Sequence, residues 1–584
     1  MSNLFYDIEV FKYNSMVVFK DGEGETVKIF SNDTQGLEDY PAGVVEQGYS
    51  GLRDFIDGKT LIGYNNYWYD DYILYAMSMN LSQSTIKEWN DSIIEGKSKV
   101  NMRKINNRTL DCFQQIDVSR PGLKKIEGNK GLMIKESAID FNIDRPLTPA
   151  EIKETAEYCE YDVLQVCYLY KERQTYFNTK NRVLSMLNDP KIEQMAYKWN
   201  TTTIVGQLMQ PSTRVPKRRM VEDSMLKLVS YEVEEMWREL DRTIDFKFKK
   251  KKVTVDECGN LIEFGWGGLH GAPVEPGRWR NVKLLDVASM YPSIIVLMNG
   301  LGDKTKLYKS LKEERVHIKH SDPEKADAYK LILNSLYGIL NNKYSKLNNP
   351  HMAYSVCIFG QIALYTLTKR LHNIGCKIIN INTDGIAFLC DDERYNSIWH
   401  EWEEEFGLDL ELEEYDLWVQ KDVNNYVAIE KGSGKIVTKG GDVNKYKGDN
   451  FFKNNDIRIT HLALVDYLLY GKPVEQTLYD NLHEPRLFQY ILQAGHTFKG
   501  TCDNDEKDYQ KINRVFAVKE NVDNVTLYKY KVDDDGTRRL SKFPDAPERM
   551  KVWNDDVSEY TDFKKEVDIQ FYYDLVMKII GRWK

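Results

Sequence analysis

Short apolar runs broken by polar turns open the chain and predict a mixed α/β unit over roughly the first 175 residues. Leu4 to Val10 reads as a strand and Met16 to Phe19 as its hairpin partner. Leu61 to Tyr64 is a further apolar run, and Tyr72 to Met77 follows a polar turn. Pro149-Ala150-Glu151 opens a helix on which Tyr158 and Asp162, at i and i+4, face the same way. Residues 180 to 245 are helix-rich and charged and carry no catalytic pattern. The stretch Gly265-Trp266-Gly267-Gly268-Leu269-His270-Gly271 predicts a flexible link. Val282 to Leu285 reads as a strand that ends in Asp286 and turns into a helix at Tyr291-Pro292. Helices over 304–320 and 324–342, joined at Ser321-Asp322-Pro323, predict a helical hairpin. Gln361 to Leu371 reads as helix. Lys377 to Ile381 and Ile386 to Cys390 predict a β-hairpin with Asn382-Thr383-Asp384-Gly385 at its tip. Beyond about 450 helix and strand mix, ending in the amphipathic segment Asp568 to Lys584, and the chain holds no repeat or low-complexity tract.

The 584 residues suit about four packed units at roughly 150 residues each. A hydrophobic content of 42% with 12% aromatics is enough for globular cores. No apolar run reaches the ~18 residues that span a bilayer, and the N-terminus lacks a signal-peptide pattern, so no membrane and a cytoplasmic location are expected. The eight cysteines form no CxxC pair, which predicts reduced structural thiols. The net charge of −9 weighs little against nucleic acid, because binding depends on where the cations sit. Lys247 and Lys249 to Lys252 form one cationic run, and Lys435, Lys439, Lys445 and Lys447 another; each reads equally well as a solvated face.

Two sets of carboxylates change the picture. Asp7, Glu9, Asp70 and Asp162 occupy the first unit, while Asp286 and Asp384 stand at a strand end and a hairpin tip. Paired divalent ions held by such groups stabilise both the attacking and the leaving oxygen at phosphate. Two such sites suggest a protein that makes and also breaks the same bond. Between the second pair, Lys330, Asn334 and Tyr337 form one stripe of a helix whose opposite face carries Leu331, Ile332, Leu336 and Ile339. Arg315 and Lys319 give the preceding helix a cationic stripe, as a triphosphate near two metal ions requires.

Asp286-x-x-Ser289-x-Tyr291-Pro292-Ser293-Ile294 resembles motif A of family B DNA polymerases. Lys330-x3-Asn334-Ser335-x-Tyr337-Gly338 is similar to their motif B, and Asn382-Thr383-Asp384-Gly385 to their motif C, in matching order and spacing. The resemblance implies that Asp286 and Asp384 hold metal and that Lys330, with Asn334, Ser289, Arg315 and Lys319, contacts the incoming nucleotide. It makes Tyr291 a steric gate against a ribose 2′-hydroxyl, and Tyr337 and Gly338 neighbours of the nascent base pair. Asn382 departs from the family's first motif C carboxylate and Gly385 from its serine; Asn382→Asp is expected to be tolerated. The lysine-tyrosine element after motif C is approximated by Asn424-Asn425-Tyr426 with Lys421 nearby, and Lys439-Gly440 is similar to the pair that follows, making Tyr426 and Lys439 DNA contacts. Asp7-x-Glu9, Asn65 to Asp70, and Tyr158-x3-Asp162 resemble in order the three motifs of proofreading exonucleases. There four carboxylates hold two metals, a tyrosine orients water, and Asn65 with nearby aromatics would grip the frayed primer end.

The implied fold is an α/β multidomain one: an RNase H-like exonuclease domain and a right-hand polymerase. The implied limits are 1–175 exonuclease, 176–275 helical connector and start of palm, 276–303 palm with motif A, 304–345 fingers, 346–448 palm with motif C, and 449–584 thumb and C-terminal region. The resemblance implies Mg²⁺ or Mn²⁺, two ions per site, with primer-template DNA and dNTPs as ligands. A helicase, single-strand-binding protein or clamp would be partners of a monomer. Compactness suggests a bacteriophage enzyme at work in the host cytoplasm. The alternatives are a nuclease with an impaired polymerase half and a non-catalytic nucleic-acid-binding scaffold. Asp286 to Lys330, and Gly338 to Asn382, each span 44 residues, too few for an extra folded element beside the core, so extension from an ordinary primer is expected.

Overall fold

Strand β1 (Asn3–Val10) is covered on both faces, which is why its pattern is a nearly continuous apolar run. Leu4, Tyr6, Ile8 and Val10 enter one core, while Phe5 enters the core on the other face. Side chains alternate along a strand, so Asp7 and Glu9 share the Phe5 face. Strand β1 pairs antiparallel with β2 (Ser15–Lys20), which pairs with β3 (Thr26–Ser31) and through it β4 (Val45–Gln47). On its other edge lie the parallel strands β5 (Thr60–Gly63) and β6 (Arg108–Asp111). Over β1 and β2 runs the helix Pro149–Glu172, opened by proline in its first turn and by a capping box between Thr148 and Glu151. The computed structural model describes residues 3–97, 102–243, 251–319, 321–391, 393–448, 452 and 457–584. Lys247, Lys249 and Lys250 of the first cationic run, and residue 320, lie outside them.

A nine-stranded antiparallel sheet holds the middle of the chain. Its strands are β7 (Val253–Glu257), β8 (Asn260–Phe264), β9 (His270–Ala272), β10 (Gly277–Val287), β11 (Lys377–Asn382), β12 (Gly385–Leu389), β13 (Leu410–Asp422), β14 (Asn425–Glu430) and β15 (Ile436–Lys439). Their order is β15-β14-β13-β10-β12-β11-β9-β8-β7. Leu285 and Val287 point into the large core under the helices Met290–Leu297 and Pro350–Asn373, and Val282 into a smaller core on the opposite face. The helices Thr305–Ile318 and Pro323–Asn341 form the expected hairpin, closed by Tyr308 donating to the Leu333 carbonyl at 2.9 Å and by a Lys325–Glu314 ion pair at 2.6 Å. The C-terminal unit packs the helices Arg458–Tyr470 and Ile569–Ile580 with strands Tyr490–Gln493, Ile512–Ala517 and Met550–Val552. Among the described residues no helix is long and apolar enough to cross a membrane.

Two expectations are corrected. The glycine-dense stretch is not a flexible link: Gln361 Nε2 donates to the Gly265 and Gly267 carbonyls at 2.8 and 3.0 Å, and Trp266 stacks on Tyr354. A side chain at Gly268 would collide with Thr383, so glycine here permits close packing against the hairpin tip. Nor are all thiols free, since Cys376 and Cys390 form a disulfide. Hairpin register accounts for it: Lys377 pairs with Leu389, so the residues just outside them face each other.

Candidate active sites

Asp286 lies near the end of β10 and pairs across the ladder with Gly385 of β12. Next to it the Val287 amide donates to the Asp384 carbonyl at 2.7 Å, fastening the hairpin tip to the strand end. A Cβ at residue 385 would stand 2.9 Å from Asp286 Oδ1, which explains glycine in place of serine. Burial, then Asp384, Glu413 and Glu411, pushes the Asp286 carboxyl up to about 7. Burial also raises Asp384, opposed by the Lys439 ammonium. Glu411 and Glu413 come from β13, where they pair with Asp286 and Leu284. Such an oxygen-rich cluster fits hard divalent ions, which Asp286 and Asp384 could hold.

A cavity of about 210 Å³ opens beside these carboxylates, lined by Ser289, Tyr291, Asn334, Tyr337, Thr383 and Asp384 among others. The Tyr291 and Tyr337 rings meet at 4.6 Å between centroids, closing its floor with two aromatic faces. Asn334 and Lys330 are exposed along the same face of the Pro323–Asn341 helix, Lys330 one turn farther out. Gly338 is exposed with open space where a Cβ would stand, leaving room for a backbone to approach. Arg315 and Lys319 lie toward the hairpin tip and do not line the cavity. A cation at motif A that sequence reading missed is Lys312, whose Nζ donates to Ser293 Oγ at 2.7 Å.

Asn382 is a donor in this fold. Its amide donates to the Val423 carbonyl at 2.9 Å and to Asn424 Oδ1 at 3.3 Å, tying β11 to the β13–β14 turn. A carboxylate has no proton to offer there, so the expected tolerance of Asn382→Asp is revised to a loss of this tie. Tyr426 stacks on Trp418 at 4.2 Å, and Lys439, its partner across the β14–β15 ladder, lies 6.0 Å over its ring. Both lie near Asp286 and Asp384: burial, then Asp286, Glu413 and Asp384, pushes the Tyr426 phenol up, and Lys439 opposes the rise of the Asp286 and Asp384 carboxyls.

The first unit gathers a second centre. Asp7, Glu9, Asp70 and Asp162 all carry raised carboxyl values, caused first by burial; neighbouring carboxylates add to the rise at Asp7, Glu9 and Asp70, whereas Lys124 holds Asp162 back, and Asp7 stands at about 7. Ligand atoms of Asp7, Glu9 and Cys159 lie within 4.8 Å of one another. Burial, then Asp162 one helical turn on, pushes the Tyr158 phenol up. The neighbouring aspartates of the helix Asp70–Ser78 have different jobs. Asp71 is fully buried and satisfied by Tyr6, Asn66, Thr109 and Lys198, whereas Asp70 turns toward Asp7. Repulsion among three buried carboxylates and the half-buried Asp7 is the situation that bound cations relieve, so this donor set also fits a pair of divalent ions. Asn65 and Trp68 stand exposed at the rim, Asn65 with a left-handed φ of 62° and its amide held by Asp111 at 2.7 Å.

Sequence reading missed the helix Leu123–Lys130, which brings Lys124 and Glu127 into this centre. Lys124 pairs with Asp162, lies 3.5 Å from Glu127 and sits 4.7 Å over the Tyr158 ring. Burial lifts Glu127 to about 8, with Asp162 adding to the rise and Lys124 opposing it. The only available signal was a lysine pair after Pro121-Gly122, indistinguishable from a solvated turn.

No family model matches the chain. It is 22% identical over 254 residues to DNA polymerase 2 of Aeropyrum pernix, covering 35% of this chain and 32% of that protein. It is 24% identical over 249 residues to DNA polymerase 1 of Pyrococcus abyssi, covering 34% of this chain and 32% of the relative. The match thus spans about a third of the length of these curated relatives. Among solved structures, the family B DNA polymerase of Pyrobaculum calidifontis aligns with all of this chain and 78% of its own at 14% identity, with a TM-score of 0.43.

Proposed function

We propose that the protein is a family B DNA-dependent DNA polymerase with a 3′–5′ proofreading exonuclease, replicating a phage genome. The observation that carries the reading is the convergence of motifs A, B and C on one cavity: Asp384, Ser289, Tyr291, Asn334 and Tyr337 line it, and Asp286 is fastened to its hairpin wall. Similarity to archaeal DNA polymerases over about a third of the chain supports the same class.

In this reading Asp286 and Asp384 would hold two Mg²⁺ or Mn²⁺ ions, whose chemistry there would be activation of the primer 3′-hydroxyl and neutralisation of charge on the leaving pyrophosphate. Tyr291 and Tyr337 form the floor on which sugar and base rest, and the Tyr291 ring fills the place of a 2′-hydroxyl. Asn334 and Lys330 receive the triphosphate, with Lys312, Arg315 and Lys319 supplying further positive charge from the facing helix. Lys439 and Tyr426 hold the primer beside the carboxylates. At the second centre Asp7, Glu9, Asp70 and Asp162 would hold the ions, Tyr158 orients the attacking water, and Lys124 balances the carboxylates' charge. Asn65 and Trp68 grip the unpaired 3′ end.

The two 44-residue intervals are filled by the fingers helices and by the helix Pro350–Asn373, which supports extension from an ordinary RNA or DNA primer with weak unaided strand displacement. Extension of a primed template with dNTPs and Mg²⁺ tests the function. Elongated products are expected, whereas binding without elongation would leave a scaffold and degradation alone a nuclease. A dNMP joined to a protein hydroxyl in a primer-free reaction would overturn the priming assignment.

A further inference from the structure

We infer that Arg514 is a positioning residue for the exonuclease centre. It caps the helix that delivers Lys124 and Glu127, so that the C-terminal unit completes a site built by the N-terminal one. The inference rests on the exonuclease reading above.

The helix Leu123–Lys130 has eight residues, too few to be stable in water by itself, and its last carbonyls need donors. Gly131 returns its own amide to Glu127 and Gly128. The Leu132 amide also donates to Glu127 at 3.0 Å, and further donors come from more than 350 residues away. Arg514 is fully buried and gives its Nη2 to the Gly128 carbonyl at 3.3 Å and the Leu132 carbonyl at 2.6 Å. Its Nη1 donates to the Asp555 carbonyl at 2.6 Å and its Nε to Gln489 Oε1 at 2.9 Å. Gln489 in turn donates to the Gly128 and Asn129 carbonyls at 3.0 and 3.3 Å.

Among the described residues every acceptor around the guanidinium is a carbonyl or amide oxygen, and no carboxylate pairs with it. A buried cation with that partner set is placed to complement a helix C-terminus, where the backbone dipole is negative. Closeness reinforces the seat: a Cβ at Gly128 would lie 3.1 Å from Ile491, and Lys125 Nζ donates to the Ile491 carbonyl at 2.9 Å. The other end of the helix holds Lys124 against Asp162 and over Tyr158. Removing Arg514 leaves the last turn of the helix held by Gln489 and the Lys125–Ile491 contact without its buried cation, and Lys124 loses its fixed place among the carboxylates.

The test is a double-mutant cycle on full-length protein, reading degradation of a 5′-labelled single-stranded oligonucleotide. Arg514→Met and Lys124→Ala are each expected to slow degradation about 10- to 100-fold, the range for residues that orient a metal centre. The double variant should fall within about twofold of Lys124→Ala, since one change acts through the other. Amides of residues 123–132 should exchange faster in metal-free Arg514→Met, while primer extension stays within about twofold of the parent. Losses that multiply in the double variant, or unchanged exchange in this helix, would overturn the inference. A parent that does not degrade the oligonucleotide removes the exonuclease reading and the inference together; a degrading parent with multiplying losses removes the inference alone. Should Arg514→Met fail to fold, Gln489→Met takes its place under the same criteria.

Discussion

Replacing Gly385 by alanine separates the geometry of the proposed polymerising site from its stability. Gly385 has ordinary strand backbone, so only space opposes a methyl group. The new Cβ would lie 2.9 Å from Asp286 Oδ1 and 3.1 Å from Leu284 Cδ1, where relaxed contacts begin at 3.4 Å. The Asp286 carboxylate must therefore retreat by about 0.5 Å, which a rotation of its short side chain achieves for about 1 kcal/mol or less. A displacement of this order at a reacting centre slows chemistry by about 10- to 100-fold, or roughly 1.4–2.7 kcal/mol on the barrier. Single-turnover incorporation of one correct dNMP should show that loss, with Tm almost unchanged and single-strand degradation intact. Incorporation at the parental rate would refute the claim that the hairpin tip sets the position of Asp286.

Asp7→Ala with Glu9→Ala should abolish digestion of single-stranded 3′ ends and spare primer extension; equal loss of both would show that the two centres are not separate. Tyr291→Val should admit ribonucleotides, and an unchanged ratio of dNTP to rNTP incorporation would refute the steric gate. Asn382→Asp should lower stability by about 1–2 kcal/mol through its lost donor, read as a denaturation midpoint, and an unshifted midpoint would count against that tie. Without metal, stability should fall as pH rises from about 4 to about 8. Asp7 and Asp286 stand at about 7 and Glu127 at about 8, all above their ordinary carboxylate values, so the folded state holds more protons across that window and loses its advantage as they leave. Mg²⁺ should flatten the slope in a thermal melt; an equal slope with and without it would sink both metal assignments.

Pieces whose chemistry is local were legible in the sequence. Asp7-x-Glu9 on a buried strand, the Tyr158/Asp162 helical turn, the Lys330/Asn334/Tyr337 stripe and the hairpin carrying Asp384 each declare themselves through the period of one element. What stayed hidden depends on register or on contacts between distant segments. The Cys376–Cys390 bridge follows only once Lys377 is known to face Leu389. The donor role of Asn382 requires the Val423 carbonyl, and Lys312 is one of many lysines until Ser293 is found beneath it. The helix Leu123–Lys130 has little pattern of its own because the C-terminal unit satisfies its carbonyls. The glycine run before β9 reads as a link because it lacks side chains, which is also what lets it press against Thr383.

The central claim is that two separate carboxylate centres make and break the same phosphodiester bond. A 5′-labelled primer annealed to a longer template, incubated with Mg²⁺ and followed with and without dNTPs for the parent, Asp286→Ala and Asp7→Ala/Glu9→Ala, tests it in one experiment. The parent should elongate the primer with dNTPs and shorten it without them, Asp286→Ala should only shorten it, and the exonuclease variant should only elongate it. Shortening by Asp7→Ala/Glu9→Ala, elongation by Asp286→Ala, or neither activity in the parent would contradict the assignment.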